Sequence, residues 1–141
     1  MAKRNFHIAI VDARYYESIS ESLMNGALSA LAEVNATHEH ILVPGALEIP
    51  AAVRLRHNSN REVDGFVALG CVIRGETSHY DIVAGESARG LMDLTVREGI
   101  LVGNAILTVE NLKQAEKRAI SKGGAAVGAV LSLLGLRENL K

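Results

Sequence analysis

The sequence predicts an α/β fold in three layers, with a four-stranded parallel sheet between two layers of helix. Three observations carry that expectation. Apolar runs of strand length alternate with segments whose apolar residues recur at helical spacing, which is the pattern of a parallel sheet with helical crossovers. One run, FVALGCVI at residues 66–73, contains no polar position, as a strand covered on both faces requires. The 141 residues contain no linker, repeat or low-complexity stretch, so residues 1–141 are expected to form a single domain with its own core.

FHIAIVDA (residues 6–13) reads as the first strand. Ile19, Leu23, Ala27, Leu31 and Val34 then recur at helical spacing, and Ser18 with Glu21 has the spacing of a capping box. HILV (40–43) is a short second strand that breaks at Pro44-Gly45, and ALEIPAAVRLRH follows as a helix with proline in its first turn. The third strand, 66–73, leads into a helix expected from His79 to Glu98 and closed by Gly99. Gly85 and Gly90 each cost that helix about 1 kcal/mol relative to alanine, which points to close backbone packing. ILVGNAILTV (100–109) is the fourth strand. ENLKQAEKRA and GAAVGAVLSLLGL are expected as two closing helices around a break at ISKGG. Right-handed crossovers then give a flavodoxin-like topology.

The chain is 48% apolar and 22% charged with a formal net charge of -1. That balance argues against a nucleic-acid footprint. No apolar stretch approaches the ~18 residues of a membrane span, so no membrane partner is expected. The start, MAKRNFHIAIVDA, is basic but runs directly into strand pattern, against a signal peptide. Cys71 is the only cysteine, which excludes an internal disulfide and fits a reducing, cytoplasmic compartment. Set inside FVALGCVI, it reads as a buried thiol rather than a nucleophile. His38 and His40 share a strand face with no third ligand in view, so no metal site is expected. His7 and His57 belong to no constellation.

Ligands of open parallel sheets bind beyond the carboxyl ends of the strands, and here every chemically interesting segment follows a strand. ARYYES, with Arg14, Tyr15 and Tyr16, follows the first; PGALEIP, with Glu48, the second; RGETSHYD the third; and TVEN the fourth. If the third helix starts near His79, its early N–H groups face outward toward an anion. Ser78 and Asp81 are spaced as a capping box, and Thr77 adds a hydroxyl. A histidine in that first turn meets the positive end of the helix dipole, which favours the neutral imidazole a general base needs. Each residue also has a plain structural reading. His79 can be a solvated helix-start side chain, Arg74 and Glu76 a surface pair, the tyrosines ordinary packing, and Glu48 a carboxylate answering a helix dipole. Arg118 and Lys122 read as a solvated helix end. Together the strand-end segments indicate a site for a phosphate-bearing small molecule.

PGALEIP, GCVIRGETSHYD and LTVEN, preceded by ARYYESIS and followed by KRAISKGG, resemble 6,7-dimethyl-8-ribityllumazine synthases over essentially the whole chain. The resemblance implies a cofactor-free condensation of 5-amino-6-(D-ribitylamino)uracil with 3,4-dihydroxy-2-butanone 4-phosphate in riboflavin biosynthesis. By motif, His79 would transfer protons and Tyr15 would stack on the pyrimidine where most members have phenylalanine. Ala46 and Glu48 would hold the ribityl chain and ring edge, and Cys71, Val72 and Ile73 would contact substrate from the strand end. Gly75, Glu76 and Thr77 would present donors to the phosphate, although the carboxylate of Glu76 must turn away or be neutralised, with Arg74 as the candidate. Arg118 would clamp the phosphate from a neighbouring subunit of a pentamer, and Asn104 stands where many members have a phenylalanine from that neighbour. Lys122 is a possible further phosphate contact, set closer to Arg118 than in typical members. Leu47 replaces a commoner aromatic. The alternative implied by these departures is a low-activity lumazine- or flavin-binding, or shell-forming, relative.

Overall fold

The computed structural model describes residues 5–59 and 62–141. Lys3 and Arg4, weighed above as a basic start, lie outside them. In order, the elements are β1 (His7–Ala13), α1 (Glu17–Glu33), β2 (Thr37–Val43), a 3-10 turn (Ala46–Glu48), α2 (Ile49–His57), β3 (Gly65–Ile73), α3 (His79–Glu98), β4 (Val102–Val109) and α4 (Leu112–Asn139). The strands form one parallel sheet in the order β2-β1-β3-β4. This is the three-layer, flavodoxin-like arrangement the alternation predicts.

Alternate side chains of the central strands feed two cores. Ile8, Ile10, Val67 and Leu69 pack with Leu23 and Leu31 of α1 and Val127 and Leu134 of α4. Ala9, Val11, Phe66 and Ala68 pack with Ile49 and Val53 of α2 and Val83 and Leu91 of α3. β3 is buried on both faces through most of its length, which explains its unbroken apolar sequence.

Local readings of the sequence fail where a tertiary contact competes. Ser18 and Glu21 form no capping box. The N-cap of α1 is Tyr16 without a side-chain cap, and Glu21 instead accepts a 2.6 Å bond from Arg14, because a charged donor is the stronger partner. Ser78 caps α3 by position only, and Asp81 is drawn to Arg74. β2 begins at Thr37, three residues before expectation, because its pairing with β1 runs from His7↔Thr37 to Ala13↔Val43. Gly99 closes α3 in the left-handed conformation, φ 71°, as expected. Gly90 does face a close neighbour, Pro50, whereas nothing lies near Gly85.

The largest correction is α4. ISKGG does not break it, and one helix of 28 residues runs from Leu112 to Asn139. Gly123 sits against α1 so closely that a Cβ there would lie 2.0 Å from the Leu23 carbonyl oxygen. The glycine pair is thus a helix–helix contact point rather than a break. This helix is long and apolar enough by composition to cross a membrane, with a mean hydropathy of 1.6 over an 18-residue window, which two short helices would not have been. In this fold it is a core helix, with Ala115, Ala119, Ala126, Val127, Val130 and Leu134 buried.

At the amino-terminal end of the sheet, Glu39 of β2 accepts from Arg56 Nε at 2.7 Å and Nη2 at 2.9 Å. His7 bridges Glu39 and Thr37 at 2.7 Å each, a cluster that histidine spacing did not suggest. Arg56 first, then His7, hold the Glu39 carboxyl down to about 2 from an ordinary 4.5. A depressed carboxyl stabilises the fold above its unfolded pKa and loses that contribution as pH falls through its folded pKa. Unfolding free energy should therefore decline between about pH 4.5 and 2, and Glu39→Gln should flatten that decline in equilibrium melts. An unchanged acid slope would contradict the assignment.

Candidate active site

Three strand-to-helix turns meet at the carboxyl edge of the sheet. They frame a cleft of ≈ 400 Å³ lined by Tyr15 and Tyr16 after β1, Gly45 to Glu48 after β2, Cys71 to Ile73 at the end of β3, and His79 and Val83 on α3. Of the residues expected at a site, Tyr15, Ala46, Glu48, Cys71, Val72, Ile73 and His79 share this one cavity. Tyr16, Gly45 and Leu47, which belong to the strand-end segments ARYYES and PGALEIP but had no role of their own assigned, also line it, and so does Val83, which was not expected. Val83 was legible in principle, since it lies one helical turn beyond His79.

Each wall has a distinct chemistry. Tyr15 is 72% exposed, and its ring meets Tyr16 edge-on with centroids 4.8 Å apart. It offers a flat apolar surface to a ring. The Glu48 carboxylate lies above Gly45, where a Cβ would stand 3.2 Å from Oε1. It can accept hydrogen bonds from hydroxyl or amide groups of a ligand. Burial pushes the Cys71 thiol up to about 11, so at neutral pH it is a protonated wall and not a nucleophile.

His79 is the first residue of α3. Its backbone N–H donates to Thr77 Oγ1 at 3.3 Å, and its exposed imidazole reaches the cleft. Gly75, Glu76 and Thr77 form the exposed loop just before it, beside the cleft rather than in its walls. Arg74 does not pair with Glu76. Its guanidinium bonds both oxygens of Glu110 at 3.1 Å and Asp81 at 3.3 Å, and lies 4.2 Å from the Tyr80 ring centre. Its backbone N–H donates to Val109 O at 2.9 Å. Arg74 thus ties the ends of β3 and β4 to the start of α3, holding the turn that carries His79.

Asn104, Arg118 and Lys122 lie elsewhere. Asn104 pairs with Ala68 in mid-sheet, five residues short of the carboxyl end of β4, and its side chain accepts from Ile106 N at 2.8 Å. Arg118 and Lys122 are exposed on α4, with Arg118 Nη1 3.5 Å from Gln114 O. Among the described residues that line the cleft there is no lysine or arginine. One chain therefore supplies a ring surface, a carboxylate and an imidazole, but no cationic side chain in the cavity wall.

Comparison with known proteins gives a consistent picture. Residues 5–138 match the family model of 6,7-dimethyl-8-ribityllumazine synthase. A protein of that name from Bartonella tribocorum is 52% identical over 136 residues, covering 94% of this chain and 90% of the relative. Another from Agrobacterium fabrum is 51% identical over 142 residues, covering 95% of this chain and 96% of its own. A third, from Methylorubrum extorquens, is 52% identical over 139 residues, covering 93% and 80%.

Proposed function

The chain belongs to the 6,7-dimethyl-8-ribityllumazine synthase family, and on that premise we propose how its cleft divides the work of the family reaction. The enzyme is a transferase acting at the penultimate step of riboflavin biosynthesis. It condenses 5-amino-6-(D-ribitylamino)uracil with 3,4-dihydroxy-2-butanone 4-phosphate, releasing phosphate and water. The amine adds to the ketone and loses water to form an imine, phosphate is eliminated, and attack by the ribitylamino nitrogen closes the ring with loss of water.

The observation that carries this reading is the convergence of Tyr15, Glu48 and His79 on one cavity. Tyr15 stacks on the pyrimidine. Glu48 and the backbone at Ala46 hold ribityl hydroxyls and the ring edge, while Cys71, Val72 and Ile73 form the floor at the strand end. The loop Gly75, Glu76 and Thr77 presents N–H and hydroxyl donors to the phosphate, with Glu76 turned to solvent. His79 moves protons between the amine, the leaving oxygen and the closing ring. These steps use binding, orientation and proton transfer.

The missing cation comes from a neighbouring subunit, which brings Arg118 to the phosphate, with Lys122 as a further contact and Asn104 at the cleft edge. Exposed apolar residues support assembly. Ile82, Met92 and Val96 of α3 are 54%, 62% and 75% exposed, and their spacing places them on one stripe of the helix. A pentamer is the proposed building unit, and the cytoplasm the proposed location.

Purified protein given both substrates should produce lumazine absorbance. Tight lumazine or riboflavin binding by calorimetry without turnover would overturn the enzymatic reading in favour of a binding relative. Sedimentation tests the pentamer. Arg118→Ala should raise the KM of the phosphate substrate by about 10- to 150-fold, corresponding to about 1.5–3 kcal/mol for a charge-assisted contact. The KM of the pyrimidine should stay within about two-fold; an equal rise in both would remove Arg118 from the phosphate.

A further inference from the structure

A ring that serves as a platform must hold its direction, and little of Tyr15 is covered. Its orientation follows from the backbone of residues 14–16, which join β1 to α1. Tyr16 anchors one side of that turn by packing against the α1–α4 core. Arg14 anchors the other. Its Nη2 donates to Glu21 of α1 at 2.6 Å, and its Nε lies 3.5 Å from Asp12 Oδ2 of β1. The guanidinium therefore fastens the turn to both the strand behind it and the helix ahead.

Asp12 is an unusual residue for a central strand, being wholly buried. Oδ2 accepts from His40 Nε2 of β2 at 2.9 Å, while Oδ1 and Arg14 Nε are both buried with no hydrogen-bond partner among the described residues. Burial pushes the Asp12 carboxyl above its ordinary value, with His40 and Arg14 opposing the shift. An apolar side chain of similar size would spare the sheet that desolvation. The carboxylate nevertheless stands two residues behind Arg14, where it holds the guanidinium on the strand side.

We propose that Arg14 and Asp12 are positioning residues for Tyr15, fixing the β1–α1 turn so that the ring meets the pyrimidine with its orientation already set. His40 holds the Asp12 carboxylate toward that task. This rests on the reading of Tyr15 as the stacking surface, and the test separates the two.

Steady-state kinetics of Tyr15→Ala, Arg14→Met and the double variant form the cycle, with both KM values measured. Tyr15→Ala should raise the pyrimidine KM about five-fold or more, as for loss of a ring stack. Arg14→Met should raise it about five-fold while the phosphate substrate's KM stays within two-fold. In the Tyr15→Ala background, Arg14→Met should add less than two-fold, because a residue acting through a ring has no effect once the ring is gone. Asp12→Asn should move the pyrimidine KM in the same direction.

Effects that multiply in the double variant, equal rises in both KM values, or a flat Arg14→Met beside a sensitive Tyr15→Ala would each overturn the inference alone. A flat Tyr15→Ala would remove the platform reading and the inference with it. Should Arg14→Met fail to fold, Glu21→Gln cuts the helix-side anchor at an exposed carboxylate and completes the same cycle.

Discussion

Replacing His79 with alanine is expected to lower kcat at least ten-fold, with both KM values within about three-fold of the parent. Positioned general acid–base groups contribute about 10²–10⁴-fold. The lower bound here is smaller because the imidazole is exposed at the mouth of the cleft, where water can carry some of the protons. The residue opens α3 directly after the loop proposed to hold the phosphate; on that proposal it stands close to the bonds that change and contributes little to uniform binding. Initial rates with both substrates saturating, followed by lumazine absorbance, give the result. A kcat equal to the parent's would take His79 out of the chemistry.

The second large effect concerns the fold. Gly123→Ala should lower stability by about 2 kcal/mol or more, although alanine favours a helix interior by about 1 kcal/mol over glycine. The added carbon would lie 2.0 Å from Leu23 O and 3.1 Å from Ala27 N. Both belong to backbone inside α1, so the two helices must separate, and overpacking of this kind costs typically 1–3 kcal/mol and sometimes more. Gly128→Ala is the internal comparison. It lies in the same helix with nothing within 4 Å of the new carbon, and should leave stability unchanged or raise it by up to about 1 kcal/mol. Denaturant melts at one protomer concentration compare them. Equal stabilities would mean that α1 and α4 do not approach so closely in solution.

The sequence displayed β3 and α3 well because each carries a signal that no neighbour opposes. β3 is apolar throughout, and α3 ends at a glycine in the conformation that glycine favours. It concealed α4, since Gly123-Gly124 looks like a break until the opposing backbone of α1 is seen. β2 was cut short because Thr37 and His38 are exposed on an edge strand, where polar residues resemble a loop. In both expected capping boxes an arginine draws the acidic member away, and in α1 the helix also starts ahead of Ser18.

The cleft was legible because Tyr15, Ala46, Glu48, Cys71, Val72, Ile73 and His79 all stand near strand ends, and parallel topology alone brings those ends together. The Asp12–His40–Arg14 cluster was not. Asp12 and His40 are 28 positions apart, and only the β1–β2 register makes them neighbours. Asn104, Arg118 and Lys122 lie outside the cleft of one chain, and the roles proposed for them depend on a second.

A cavity wall without its own cation has a consequence for kinetics. If the arginine of each centre is borrowed, the rate per polypeptide is itself a function of concentration. Specific activity would then fall on dilution below the dissociation range and return on reconcentration. Mixing an Arg118→Ala chain with a His79→Ala chain would likewise regenerate some intact centres from two crippled parents.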